Sequence, residues 1–266
     1  MAPEISRYNN RHLNNNNIYN LISRLIGFLT ITLGTFVLLS WFFDIEVGQH
    51  IQPMLPSMKF NTAFCFIACG FLLIRSDKVK TLSLFSPLPL IFISIILLIP
   101  SFTLFEYWFS WQLGIDNLFV KDQTTPADQW PGRMSEATAI CFVLVAAAQI
   151  FISTRLHSFI LVSQLLSLAV VIISGAALIA YIFGAHQFKL TIFSTMAVHT
   201  SLLFVLIGIG ILFTRPDEGF MIPATSTFIG GHSFRHLFPF IIVTPVLIGW
   251  LSLKGLEASS AFSTST

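Results

Sequence analysis

Ionisable side chains are scarce in this chain, so each one invites the question of what it does. Glu106, Asp116, Arg133 and Glu136 lie close together, in and beside one polar stretch between two apolar runs. A guanidinium at Arg133, at the mouth of an apolar run, can pair with any of the three carboxylates. Pairing is the favoured reading; holding an anionic ligand or a lipid phosphate is the alternative. His50, His186 and His199 map to the same side of the chain, and imidazoles beside carboxylates are the ingredients of a transition-metal site or a pH switch. No pair has ligand spacing, so no metal is expected. His199 stands just inside an apolar run, where a polar side chain must face a neighbour or a cavity because facing lipid is costly. Packing through a hydrogen bond is its simplest role. Cys65 and Cys69 share a helix face at i and i+4, a soft-metal arrangement, but buried thiols commonly serve as small hydrophobes. Arg133, Glu106, Asp116, Glu136 and His199 are therefore the candidate ligand-binding residues.

Signatures of soluble enzymes are missing: no phosphate-binding glycine loop, no H-E-x-x-H and no G-x-S-x-G. No catalytic residue, cofactor or nucleic-acid partner is expected.

The elements that must position those residues are apolar. The chain has 266 residues, 55% hydrophobic and 10% charged, against roughly 25% charge in a soluble domain. An all-α, polytopic membrane bundle follows, with the lipid bilayer as first partner. Three cysteines inside apolar runs exclude a disulfide framework. The first apolar run is long enough to span and has no small-residue cleavage site behind it, so a removable leader is not expected.

Within the apolar runs a motif recurs: Met, three residues, Thr, Ala or Ser, one residue, Cys or Leu, then Phe. It reads Met58…Thr62-Ala63…Cys65-Phe66, Met134…Thr138-Ala139…Cys141-Phe142 and Met196…Thr200-Ser201…Leu203-Phe204. Such recurrence predicts one helical hairpin used three times. Met58, Thr62, Met134, Thr138, Met196 and Thr200 read as packing positions, with small neighbours that let helices approach closely. Gly208, Gly210 and Ala146 to Ala148 read the same way.

Seven spans are expected: about 21–43, 60–74, 82–105, 137–153, 159–183, 196–213 and 237–253. Residues 20–256 form the membrane domain, between polar tails at 1–19 and 257–266 that are expected to be disordered. The seventh run contains Pro239 and Pro245 and is barely long enough for a hydrocarbon core of roughly 30 Å. Trp41-Phe42-Phe43 and Glu106-Tyr-Trp-Phe109 mark interfaces. With the N-terminus inside, nine of the fourteen basic residues fall on inner segments: Arg7, Arg11, Arg24, Arg75, Lys78, Lys80, Arg155, Arg215 and Arg235. The positive-inside bias thus favours a cytoplasmic N-terminus and places every Met–Thr motif at the outer face.

Leu113-Gly-Ile-Asp116-Asn-Leu-Phe119, Pro131-Gly-Arg-Met-Ser-Glu-Ala-Thr138, Arg215-Pro-Asp-Glu-Gly219 and Arg235-His-Leu-Phe-Pro239 complete a set that, with the other two Met–Thr motifs, resembles a membrane input region. The resemblance is to the N-terminal, membrane-associated sensor (MASE-like) modules of bacterial sensor histidine kinases and diguanylate cyclases, over roughly residues 20–256. It implies a bacterial inner-membrane location, a two-component or cyclic-dinucleotide context and a kinase or cyclase as signalling partner. Relatives of that kind continue into a signalling helix and an output domain. Here the sequence ends Ser259-Ser-Ala-Phe-Ser-Thr-Ser-Thr266, so a truncated or stand-alone input module acting through a partner is expected, with homo-oligomerisation as a further expectation. The rival readings are a small transporter or channel, suggested by repeats and by Gln149, Gln164 and His199 inside apolar runs, and a scaffold subunit without a ligand.

Overall fold

In the computed structural model the described residues are 2–49, 55–75, 87–122, 125, 130–154, 156–183, 196–225 and scattered positions between 231 and 251; at 2–16 and 46–47 the backbone alone is described. They form α1 (Ala2–Phe42), α2 (Glu46–Gln49), α3 (Phe60–Arg75), α4 (Pro87–Phe109), a 3₁₀ turn (Ile115–Asn117), α5 (Glu136–Ile152), α6 (His157–Ile182), α7 (Val198–Leu212) and α8 (Met221–Thr225). No strand occurs among the described residues.

Two lengths of helix alternate. Three stretches are long and apolar enough to cross a membrane: Asn17–Phe42 of α1, α4 and α6, of 26, 23 and 26 residues. The helices that follow them, α3, α5 and α7, have only 16, 17 and 15 residues. At 1.5 Å per residue these reach roughly 22 to 26 Å, short of a hydrocarbon core. Of the seven expected spans, then, three have membrane length by themselves and three are shorter apolar helices. The seventh run, and the C-terminal tail at 257–266, lie largely or wholly outside the described residues. The expected N-terminal tail differs too: α1 begins at Ala2, so the polar segment continues the helix. Adding a residue to an existing helix gains a hydrogen bond without a new nucleus, which makes such an extension inexpensive.

The short helices are central. α3, α5 and α7 touch one another, and each long helix lies against two of them: α1 on α3 and α7, α4 on α3 and α5, α6 on α5 and α7. Most of each long helix's apolar stretch stays on the bundle surface. The motif phenylalanines meet at the centre. Phe66, Phe142 and Phe204 are fully buried, with ring centroids 4.7–4.9 Å apart in all three pairs, the tilted and edge-on arrangement that aromatic quadrupoles favour. Burial follows one register in all three helices. Met58, Met134 and Met196 are buried, as are Thr62, Thr138 and Thr200, then Ala63, Ala139 and Ser201, and again Gly70, Ala146 and Gly208. Phe64, Ile140 and Leu202, six places after each Met, are exposed.

Close approach explains the small residues. A Cβ on Gly70 would stand 2.6 Å from the Gly27 carbonyl oxygen, and one on Gly27 2.8 Å from that of Gly70, so α1 and α3 cross backbone to backbone. A Cβ on Gly208 would meet Val171 at 2.5 Å and the Ser167 carbonyl at 2.9 Å, where α7 meets α6. Several buried hydroxyls are satisfied within the bundle. Thr30, Ser167, Ser174 and Ser201 donate to carbonyls one turn back, and Ser163 donates across to Ala148 at 2.8 Å.

Candidate functional site

Each central helix is preceded by a non-helical motif Met whose carbonyl lies against the last turn of the long helix before it. The Met backbone needs partners there, because non-helical chain at membrane depth is tolerated only where protein satisfies it. Three aromatic donors do so. Trp41 Nε1 donates to the Met58 carbonyl at 2.8 Å, Tyr107 Oη to that of Met134 at 3.1 Å, and Tyr181 Oη to that of Met196 at 2.6 Å. Each donor sits in the last turn of a long helix. Sequence reading missed this pairing. Its legible trace was a Trp or Tyr, each with a polar tip, at the end of each apolar run before a Met motif.

The second of these junctions carries the polar cluster. Between α4 and α5 the described residues turn Asp116, Asp122 and Arg133 inward. Arg133 Nε donates to Asp116 Oδ2 at 2.8 Å, and Arg133 Nη2 lies 3.3 Å from Glu106 Oε2 and 3.3 Å from the Trp111 carbonyl it donates to. The guanidinium is stacked 4.6 Å from the Trp130 ring and 5.3 Å from the Tyr107 ring. Glu106 is fully buried and accepts from the Leu113 amide at 2.7 Å through Oε1. It lies in the last turn of α4 and inside the protein, not on the surface where an interface residue was expected. Its position is set by α4 running four residues past the apolar stretch that sequence suggested.

Gly132 makes the reversal possible. It has φ +79°, and a Cβ there would lie 2.5 Å from the Asp116 carbonyl oxygen. Asn117 Nδ2 donates to the Pro131 carbonyl at 3.2 Å, which ties the two sides of the loop. A second ion pair staples the loop to α3: Lys59 Nζ reaches Asp122 Oδ2 at 2.6 Å, Thr125 Oγ1 at 2.6 Å and Ser57 Oγ at 2.9 Å. Asp122 Oδ2 also accepts from the Gly132 amide at 2.9 Å. Asn61 Nδ2 donates to the Ile115 carbonyl at 3.2 Å. Lys59, Asp122 and Asn61 were not among the candidates; their role depends on a contact 63 positions long between Lys59 and Asp122.

A cleft of about 250 Å³ opens beside Arg133, lined by Gln112, Gly114, Asp116, Asn117, Trp130 and Pro131. The structure thus gathers Arg133, Glu106 and Asp116. Glu136 opens α5 as its N-terminal acidic residue, and His199, half-buried in the first turn of α7, does not line the cleft. His50 and His186 lie outside the described residues. Cys65, Cys69 and Cys141 are buried in the core, and no group of three metal-binding side chains occurs among the described residues. Ser135 caps α5, accepting from the Thr138 amide at 3.3 Å and sharing a 2.8 Å hydrogen bond with its hydroxyl.

At the opposite end Gln164, which sequence reading counted among polar groups suited to transport, has a different task. Its Nε2 donates to the carbonyls of Arg215 (3.3 Å) and Glu218 (2.9 Å), and its Oε1 accepts from the Phe220 amide at 2.6 Å. It clamps the turn that ends α7, with Gly219 at φ +59° directly against it.

No protein-family model, curated protein or solved structure matches the chain.

Proposed function

We propose that this chain is a multi-pass input module of a bacterial inner membrane, which detects a signal at the outer face or in the bilayer and relays it to a kinase or cyclase partner. In this reading α1–α3, α4–α5 and α6–α7 are three copies of one long-plus-short hairpin, joined by a seventh run, with a cytoplasmic N-terminus. The shared burial register and the three equivalent aromatic-to-Met hydrogen bonds support the repeat. The short helices cross as members of the bundle, their upper ends covered by protein.

The observation that carries the reading is the Arg133 cluster. A cap cross-linked by buried charges, with an open cleft, joins the ends of α3, α4 and α5, so a change at the cleft is felt by helices that continue to the other face. A rigid cap over tightly packed helices suits a sensor. The axis is filled by Phe66, Phe142 and Phe204, which weighs against a central pore.

The test pairs two measurements. Partner output, read as phosphotransfer or cyclic-dinucleotide level in cells, is expected to differ between wild type and Arg133→Lys at equal membrane abundance. Reconstituted protein is expected to pass no ions or small solutes across liposomes. Selective flux would establish the transporter reading instead, and unchanged output with no co-purifying kinase or cyclase would leave a scaffold.

A further inference from the structure

The loop between α4 and α5 is inverted relative to a loop that faces water. Three of its charged side chains point inward: Asp116, Asp122 and Arg133 are each at least nine-tenths buried. Its large apolar groups point outward: Leu118, Phe119 and Trp111 are 68%, 62% and 57% exposed, and Leu113 is exposed as well. Water favours the opposite arrangement, since apolar surface is stabilised by removal from water at about 25 cal/mol per Å². A contiguous apolar patch of this kind marks a surface that meets something other than water.

The patch is continuous with the surfaces of the long helices. Phe105 stacks on Phe109, centroids 5.8 Å apart, and Phe109 meets Trp111 at 5.5 Å. On the other side Phe42 of α1 meets Phe60 at 5.5 Å, and Phe60 stacks on Phe119 at 5.4 Å. Two runs of touching rings therefore lead from the exposed flanks of α4 and α1, the faces of membrane-length helices, out onto the loop. The exposed side chain of Lys121 follows directly after the apolar group, and a lysine there can reach headgroups from an interfacial segment.

We infer that the 111–119 segment lies in the interfacial layer of the bilayer, its Trp and Phe rings among headgroups and upper acyl chains, and is not suspended in the aqueous phase. Tryptophan and its neighbours favour that layer, where an apolar ring and a polar edge are both accommodated. The buried ion pairs then have a second consequence. They give the segment a polar interior of its own, so that Asp116, Asp122 and Arg133 need not face lipid. The cleft beside Arg133 is placed at headgroup depth, within reach of molecules partitioned into the membrane.

Single-cysteine labelling of the full chain in lipid nanodiscs tests this. An environment-sensitive fluorophore is attached at Leu118→Cys and, separately, at Trp111→Cys, with Cys65, Cys69 and Cys141 left in place in the core. Both labels are expected to show blue-shifted emission, to lose intensity when nanodiscs contain lipids with a nitroxide near the headgroup, and to resist aqueous iodide. Quenching by iodide without quenching by lipid would overturn the inference by placing the loop in water. Protection from both quenchers, with cross-linking between copies, would overturn it in favour of a protein contact. Leu118 makes none of the ring contacts described, so its variant reports even if removing Trp111 perturbs the fold.

Discussion

Arg133 is the residue on which most of the polar structure depends. It is enclosed by two carboxylates, a carbonyl and two aromatic rings, and has almost no solvent of its own. Removing one partner of a buried ion pair leaves the other charge uncompensated, at a cost of about 3–5 kcal/mol. Arg133→Ala is therefore expected to lower the Tm of the protein in detergent well below wild type, and Arg133→Ala combined with Glu106→Gln and Asp116→Asn to recover much of that loss. A triple variant no more stable than Arg133→Ala would show that the ion pairs matter less than the stacking on Trp130 and Tyr107. Tyr107→Phe and Tyr181→Phe each remove one hydroxyl donor to a Met carbonyl. About 1–3 kcal/mol is expected for each, the cost of an unsatisfied buried acceptor, measured as a shift in thermal or denaturant midpoint. If the two sites are equivalent, the shifts will be similar.

Between elements, contact is governed by side-chain size. Gly70 and Gly27 let α1 and α3 touch backbone to backbone, and a methyl group at either would meet a carbonyl oxygen closer than 3 Å. Gly70→Leu is expected to force the two helices apart and to be lost from the membrane fraction or to show a sharply reduced Tm, whereas Gly175→Leu, where a Cβ meets nothing within 4 Å, is expected to behave as wild type. At the centre, Phe142→Ala removes one of three mutually packed rings. Large-to-small changes of that kind cost about 3–5 kcal/mol because the cavity collapses only in part. Phe142→Leu should recover much of it, and equal losses in the two variants would argue against close packing there. The Gln164 clamp acts in the same way at the other end, holding the exit of α7 against α6 through three backbone contacts.

At the scale of the molecule, the described residues place long helices around a core of short ones. A short helix buried among longer neighbours is not required to match the bilayer where protein groups take up the polar backbone at its entrance, as Trp41, Tyr107 and Tyr181 do. The proposed topology predicts that reporter fusions after Arg75 and after Thr154 are active only in the cytoplasm, and fusions near Asp44 and Lys121 only outside. A reversed pattern at all four sites would overturn the orientation, and agreement at Asp44, Arg75 and Thr154 with Lys121 inside would limit the crossing to α1–α3.

The membrane character, the helical class and the recurrence of Met, Thr and Phe were legible in the sequence because each depends on local composition and spacing, which a bilayer and a helix read directly. Arg133, Asp116 and Glu106 could be singled out for the same reason: charges are rare in such a chain. Which carboxylates Arg133 would take could not be read, nor could the burial of Glu106, since both depend on where α4 ends and how Gly132 turns the chain. The alternation of long and short runs was legible as well, because the polar residues around Met58 and Met134 cut the second and fourth runs short; that the short helices form the centre of the bundle was not. That three phenylalanines so far apart in sequence meet, that Trp41, Tyr107 and Tyr181 serve three Met carbonyls, and that Lys59 reaches Asp122 are matters of tertiary structure alone. They are contacts between segments far apart in the chain, and only the packing of short helices inside long ones brings those segments within reach.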